Sequence, residues 1–178
     1  GYQAGATTSG TVGGNSTFVG TYAGSTSTGA DNTAFGQEAL KTATTGHSNV
    51  AVGRRSLKVC LDGTHNASVG NFSLTALTSG KENAALGYEA GSAVTTGSYN
   101  TILGYKAGDA LTTGENNIVI GREAAASAAT VDNEITLGHS SISALRCQVT
   151  SITALSDRRD KTDINTLDLG LNFVDALK

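Results

Sequence analysis

The chain has 178 residues, a formal net charge of −3 and 15% charged side chains, with 23 Gly, no Pro, Met or Trp, and aromatics at only 5%. A conventional domain of this length could close one core, but the large side chains to fill it are missing and the apolar fraction leans on Ala. Regularly spaced Val, Ile and Leu at modest charge argue against a solvated chain, no apolar run reaches membrane-spanning length, no secretory signal is visible, and "RRSLK" and "DRRDK" are too short in an acidic protein to bind nucleic acid.

In chain order, the sequence says nearly the same thing repeatedly: "NTAFGQEAL", "NVAVGRRSL", "NASVGNFSL", "NAALGYEAG", "NTILGYKAG" and "NNIVIGREA". The glycines that follow the bulky apolar residue are Gly36, Gly53, Gly70, Gly87, Gly104, Gly121 and Gly138, each step 17 residues. Less regular copies fall at Gly20 and at Gly1 in "GYQAG", so the array occupies residues 1–141. A fixed period of this length signals a stacked repeat. The chain starts inside a repeat and has no Met, so it reads as an excised fragment.

Within each cassette the residue before the glycine is large and apolar: Phe35, Val52, Val69, Leu86, Leu103, Ile120 and Leu137. It is read as the core stripe, and Thr33, Val50, Ala67, Ala84, Thr101 and Ile118 share its face if the segment is a strand. Three residues after the glycine only small side chains stand, from Ala39 to Ala124, as close stacking of coils requires. A second glycine series, Gly29, Gly46, Gly63, Gly80, Gly97 and Gly114, marks another corner. Two turns in 17 residues leave no room for a helical hairpin and fit one coil of a parallel β-solenoid, rising about 4.8 Å per coil to a rod of roughly 40 Å. Asn32, Asn49, Asn66, Asn83, Asn100 and Asn117 recur four residues before the glycine. They are read as an amide ladder, in preference to ion ligands along an axis, because metal sites usually recruit more carboxylate.

One such coil is thin, and a lone solenoid would struggle to offset its ordering entropy. Three chains side by side could bury the apolar stripe and remove exposed edges. The expected fold class is therefore all-β, a parallel β-solenoid (β-roll) of 17-residue coils in an intertwined or side-by-side homotrimer, with a short C-terminal linker and helix.

The cassettes "NVAVGRRS", "NIVIGREA" and "NTAFGQEA" resemble the head repeats of YadA-type trimeric autotransporter adhesins, which form parallel β-rolls in tight trimers; similar arrays occur in phage tail fibres. The resemblance covers about three quarters of the chain. After a linker at 142–155, "SDRRDKTDI" at 156–164 resembles the opening of the self-cleaving endosialidase-type intramolecular chaperone domain of phage tailspikes and tail fibres, with Ser156, Asp157, Arg159, Lys161 and Ile164 matching its motif. "LGLNFVDALK" is similar to that domain's first helix, with Leu167, Leu171, Val174 and Leu177 on one side. The resemblance implies a dyad in which Ser156 is nucleophile and Lys161 base for a single cut of the parent chain, chemistry that needs a lysine of lowered pKa. Asp160 would hold Lys161 as ammonium, and only the first part of the chaperone, 156–178, is present, so this chain is expected to stay uncleaved.

The remaining signals point to no further chemistry. Cys60 and Cys147 lie about five coils apart, beyond disulfide reach. His47, His65 and His139 occupy different phases of the repeat, without metal-ligand spacing. The sequons at Asn15, Asn66 and Asn71 are read as chance, and the Thr pairs at 44–45, 95–96 and 112–113 as a poor ice-binding file because Leu61-Asp62 interrupts it. A glycan-cleaving site would need paired carboxylates in a cleft, whereas the acidic residues scatter over turns.

These readings give a non-enzymatic structural and host-recognition segment of a phage tail fibre or tailspike, located in the virion. It would use no metal or cofactor and would not insert in a membrane. Its partners would be two further copies of itself, other tail proteins, and a glycan or outer-membrane receptor on the host. Positions after each glycine vary, and Arg54, Tyr88, Tyr105 and Arg122, with Gln37 and Asn71, are the candidate receptor contacts. The alternative is the head domain of a bacterial trimeric surface adhesin, after which a stalk and membrane anchor should follow instead of "SDRRDKTDI".

Overall fold

A computed structural model describes residues 1–5 and 14–146. Among them the regular structure is all β, in eight three-residue strands: β1 Thr17–Val19, β2 Thr33–Phe35, β3 Val50–Val52, β4 Ala67–Val69, β5 Ala84–Leu86, β6 Thr101–Leu103, β7 Ile118–Ile120 and β8 Ile135–Leu137. They form one parallel sheet in chain order, each strand paired with the next. Register advances by 17 residues at every step except the first, where Thr17 pairs with Thr33. The chain is thus a β-solenoid, and Gly1–Ser143 is one compact unit. The irregular upstream copy is a true rung: Tyr22 N–H donates to the Tyr2 carbonyl at 2.9 Å and Gly5 N–H to that of Ala23 at 2.8 Å.

Each coil turns sharply after its strand. Gly36 has φ 144°, and a β-carbon there would sit 2.5 Å from the Gly53 carbonyl oxygen of the next coil, so conformation and stacking both demand glycine. Two residues on, Glu38, Arg55, Phe72, Glu89, Lys106 and Glu123 hold left-handed φ of 53–62°. The second glycine series has a different cause, since its φ is ordinary. A β-carbon on Gly46 would come within 2.6 Å of the Gly63 carbonyl oxygen.

The strands correct one expectation. The residue before each glycine and the one two earlier do share a face, but that face points out of the coil: Phe35 is 58% exposed and Leu86 50%. The interior instead takes the middle residue of each strand from β2 to β7, Ala34, Ala51, Ser68, Ala85, Ile102 and Val119, all buried. Facing them are the small residues Ala39, Ser56, Ser73, Ala90, Ala107 and Ala124, as anticipated, and the buried Leu40, Leu57, Leu74, Leu77, Val94 and Leu111. A strand of three residues has a single inward position, so volume must come from the turn.

Volume is exchanged within several coils. Where the strand centre is small, as at Ala34, Ala51 and Ser68, a leucine six residues on fills the coil: Leu40, Leu57 and Leu74. Where the centre is large, that place is glycine: a β-carbon on Gly24 would meet the Phe18 ring at 2.5 Å, and one on Gly108 would touch Ile102 Cγ2 at 3.4 Å. In the β5 coil Ala85 and Gly91 are both small, and the room is filled from the adjacent coils: a β-carbon on Gly91 would meet Ile102 Cδ1 at 2.8 Å and Leu74 Cδ2 at 2.9 Å. The leucines hold φ of 46–49° and Gly24, Gly91 and Gly108 58–60°, so one backbone serves both solutions. Close packing fixes the summed volume, not which residue supplies it.

Candidate functional site

The asparagine corner is closed to ligands. Asn49 Nδ2 donates to Asn32 Oδ1 at 3.2 Å and to the Gly63 carbonyl at 2.8 Å, while Asn49 N–H donates to the same Asn32 Oδ1 at 3.0 Å. The pattern repeats to Asn117, and all six asparagines are at most 1% exposed. From Asn32 to Asn100 each side-chain oxygen accepts two hydrogen bonds, and each amide nitrogen of the six gives both protons, so within the ladder no lone pair is left for an ion. The ladder reading therefore holds. It ends where Glu134 takes the asparagine place: its N–H donates to Asn117 Oδ1 at 2.9 Å, and its carboxylate turns to accept from Ser127 N–H at 2.8 Å and Thr136 Oγ1 at 2.9 Å. The Ser127 bonds come first in holding that carboxyl below its ordinary pKa.

The outward sheet face carries a run of exposed apolar side chains. Two files run its length: Thr17, Thr33, Val50, Ala67, Ala84, Thr101, Ile118 and Ile135, and beside them Val19, Phe35, Val52, Val69, Leu86, Leu103, Ile120 and Leu137. No position in either file is charged. The first file is small at its centre, which leaves a trough of about 200 Å³ between Ala67, Ala84 and Thr101 and the ridge Val69, Leu86 and Leu103. Contiguous apolar surface of this kind on a soluble chain usually marks an interaction site.

At the turn after each strand stand the residues that sequence reading singled out for contact. Tyr88 and Tyr105 stack with ring centroids 5.4 Å apart, and Phe72 meets Tyr88 edge-on at 6.1 Å. The Arg54 guanidinium lies over Phe72 at 5.1 Å, and Arg122 pairs with Glu123 at 3.0 Å. The 17-residue period gathers Arg54, Tyr88 and Tyr105 into one file, Phe72 from the neighbouring position joins it through its contacts, and Lys106 lies over Tyr105 at 5.8 Å. Phe72 was missed in sequence because it lies one place later in its cassette. At the lower coils of this corner Glu38 accepts from Lys41 Nζ at 2.8 Å and Arg55 Nε at 2.6 Å, and these two bonds, Lys41 first, hold its pKa down to about 2.

Other candidates are placed as follows. Cys60 is fully buried and donates weakly to the Gly63 carbonyl at 3.6 Å; burial pushes its pKa up to about 12, so it is a core residue. Asn66 is a ladder member and unavailable for glycosylation. Thr44, Thr95 and Thr112 direct their hydroxyls to carbonyls of the next coil. His47 and His65, placed out of phase by the sequence, come together with ring centroids 5.4 Å apart. Ser156, Lys161, Cys147 and the predicted C-terminal helix lie outside the described residues. Among the described residues no group of three or more His, Cys, Asp or Glu converges as a metal set, and no helix is long and apolar enough to cross a membrane.

The class that fold and surface define is a parallel β-solenoid with one uncovered apolar sheet face. Comparison with protein-family models, curated proteins and solved structures gives no match.

Proposed function

We propose that the chain is a self-assembling structural segment of a phage tail fibre or tailspike, in which three copies pack their sheet faces together into a rod that presents its turns to the host. The observation that carries this reading is the uncharged apolar face along all eight strands. A side chain such as Leu86, already half buried, gains on the order of 1 kcal/mol when the rest is removed from water, and repeating that gain rung after rung favours a closed assembly of parallel copies. Parallel strands also suit a rod: every coil adds the same backbone bonds to its neighbour, so the stack is extended by repeating one interface.

Host contact falls to the Arg54, Phe72, Tyr88 and Tyr105 corner, which combines aromatic surface with cations, a composition suited to a cell-surface glycan. The Ser156/Lys161 dyad would cut the chaperone once from the finished trimer in a longer parent.

Light scattering on the purified chain tests the assembly: three chain masses are expected, and a well-folded monomer or a dimer overturns it. Leu86→Glu places a charge in the packed face and should lower the mass to that of one chain. In the parent phage, substituting Tyr88 and Tyr105 together should reduce adsorption; unchanged adsorption removes them as contacts. Mass spectrometry on a chain carrying the whole chaperone should show a cut that Ser156→Ala abolishes.

A further inference from the structure

We propose that His47 and His65 form a two-imidazole site for a late first-row divalent ion such as Zn²⁺, Ni²⁺ or Cu²⁺. The residues are 18 apart, one more than the period, so they stand on successive coils at diagonal positions. In the linear sequence this offset hides the pair, because ligand motifs are sought at short spacing or in phase.

Their ring centroids are 5.4 Å apart and the planes cross at 83°. Two imidazoles on one tetrahedral ion, with metal–nitrogen bonds of about 2.0–2.1 Å, put their centroids roughly 5 Å apart. The observed separation is close to that spacing. Both rings are exposed, so an ion can enter and keep water on its remaining positions. His47 Nδ1 faces Ser48 Oγ at 3.3 Å, which leaves its Nε2 for the ion.

The backbone under the pair is held still. His65 N–H donates to the His47 carbonyl at 3.2 Å, and the next residue, Asn66, is locked to Asn49 by two ladder bonds of 3.0 Å each. Little ordering is left for binding to impose. By register, Asp31 lies one rung below Ser48 and Glu82 one rung above His65, and neither belongs to an ion pair among the described residues. Their charge favours a cation, although they do not converge on it. Imidazole donors without thiolate select Zn²⁺, Ni²⁺ and Cu²⁺ over Mg²⁺ or Ca²⁺.

The test is calorimetric titration of the tag-free, chelator-treated chain with Ni²⁺ and with Zn²⁺, repeated on His47→Ala, His65→Ala, the double variant and His139→Ala. The expected result is one ion per chain, affinity lowered at least tenfold by either single change, no further loss in the double variant, and no change for His139→Ala. Bound Cu²⁺ should show two nitrogen donors by electron paramagnetic resonance. If each single variant instead keeps the affinity at half the stoichiometry, or if the unaltered chain takes up no ion, the site does not exist. Both residues are exposed, and circular dichroism of each variant separates loss of binding from loss of fold.

Discussion

The asparagine corner and the interior wall solve the same stacking problem by opposite means. Six successive coils place the same side chain at the corner, whereas the wall trades Ala34 with Leu40 in one coil for Ile102 with Gly108 in another. Hydrogen bonds are directional and each donor needs its own acceptor, so the ladder requires identity. Dispersion and burial respond to filled volume, so the wall requires only a sum. A mutation at the corner should therefore be irreparable by a neighbour, and one in the wall repairable.

The largest effect should come from Asn83→Ala. It removes the donations to Asn66 Oδ1 and the Gly97 carbonyl and the acceptor used twice by Asn100. Buried partners left unpaired should cost roughly 3–5 kcal/mol in urea unfolding, and no neighbouring substitution should restore it; an unchanged midpoint would show that the ladder is idle. Next is Gly108→Leu, which overfills its coil against Ile102 and should cost about 1–3 kcal/mol. Adding Ile102→Ala rebuilds the Ala34–Leu40 arrangement and should recover at least half of that loss. Two costs that simply add would refute volume exchange.

The smallest effect belongs to Glu38, outside both regions. Its carboxyl titrates at 4.5 when unperturbed and at about 2 in the fold, so the stabilisation is complete above pH 4.5, fades as pH falls toward 2, and is absent below. Its partners are about a third exposed, which screens the pairs. Glu38→Gln should cost no more than about 1 kcal/mol at neutral pH, with the gap to the unaltered chain closing over that acid window.

Much of the architecture was legible because stacking forces like onto like. The period, the stacking of successive copies, the small residues from Ala39 to Ala124 and the asparagine ladder all follow from spacing alone. The direction of the strand faces did not. Alternation told that Phe35 and Thr33 share a side, but with Ala34 between them it could not tell which side was in. Hydrophobicity pointed the wrong way, because the larger residues lie outside. The pairing of His47 with His65 was illegible for a related reason: a diagonal contact leaves no periodic trace.

By itself, then, the sequence determined the unit and its repetition, since backbone pairing at one strand spacing per coil leaves an identical residue directly above its predecessor. Only the tertiary structure decided where volume resides, because the turn after the glycine folds back to set the place held by Leu40, or by Gly108 in another coil, inside and across from the strand centre. It also decided that the chain keeps its bulkiest strand residues for a surface of its own, since a three-residue strand turns one side chain inward and two outward.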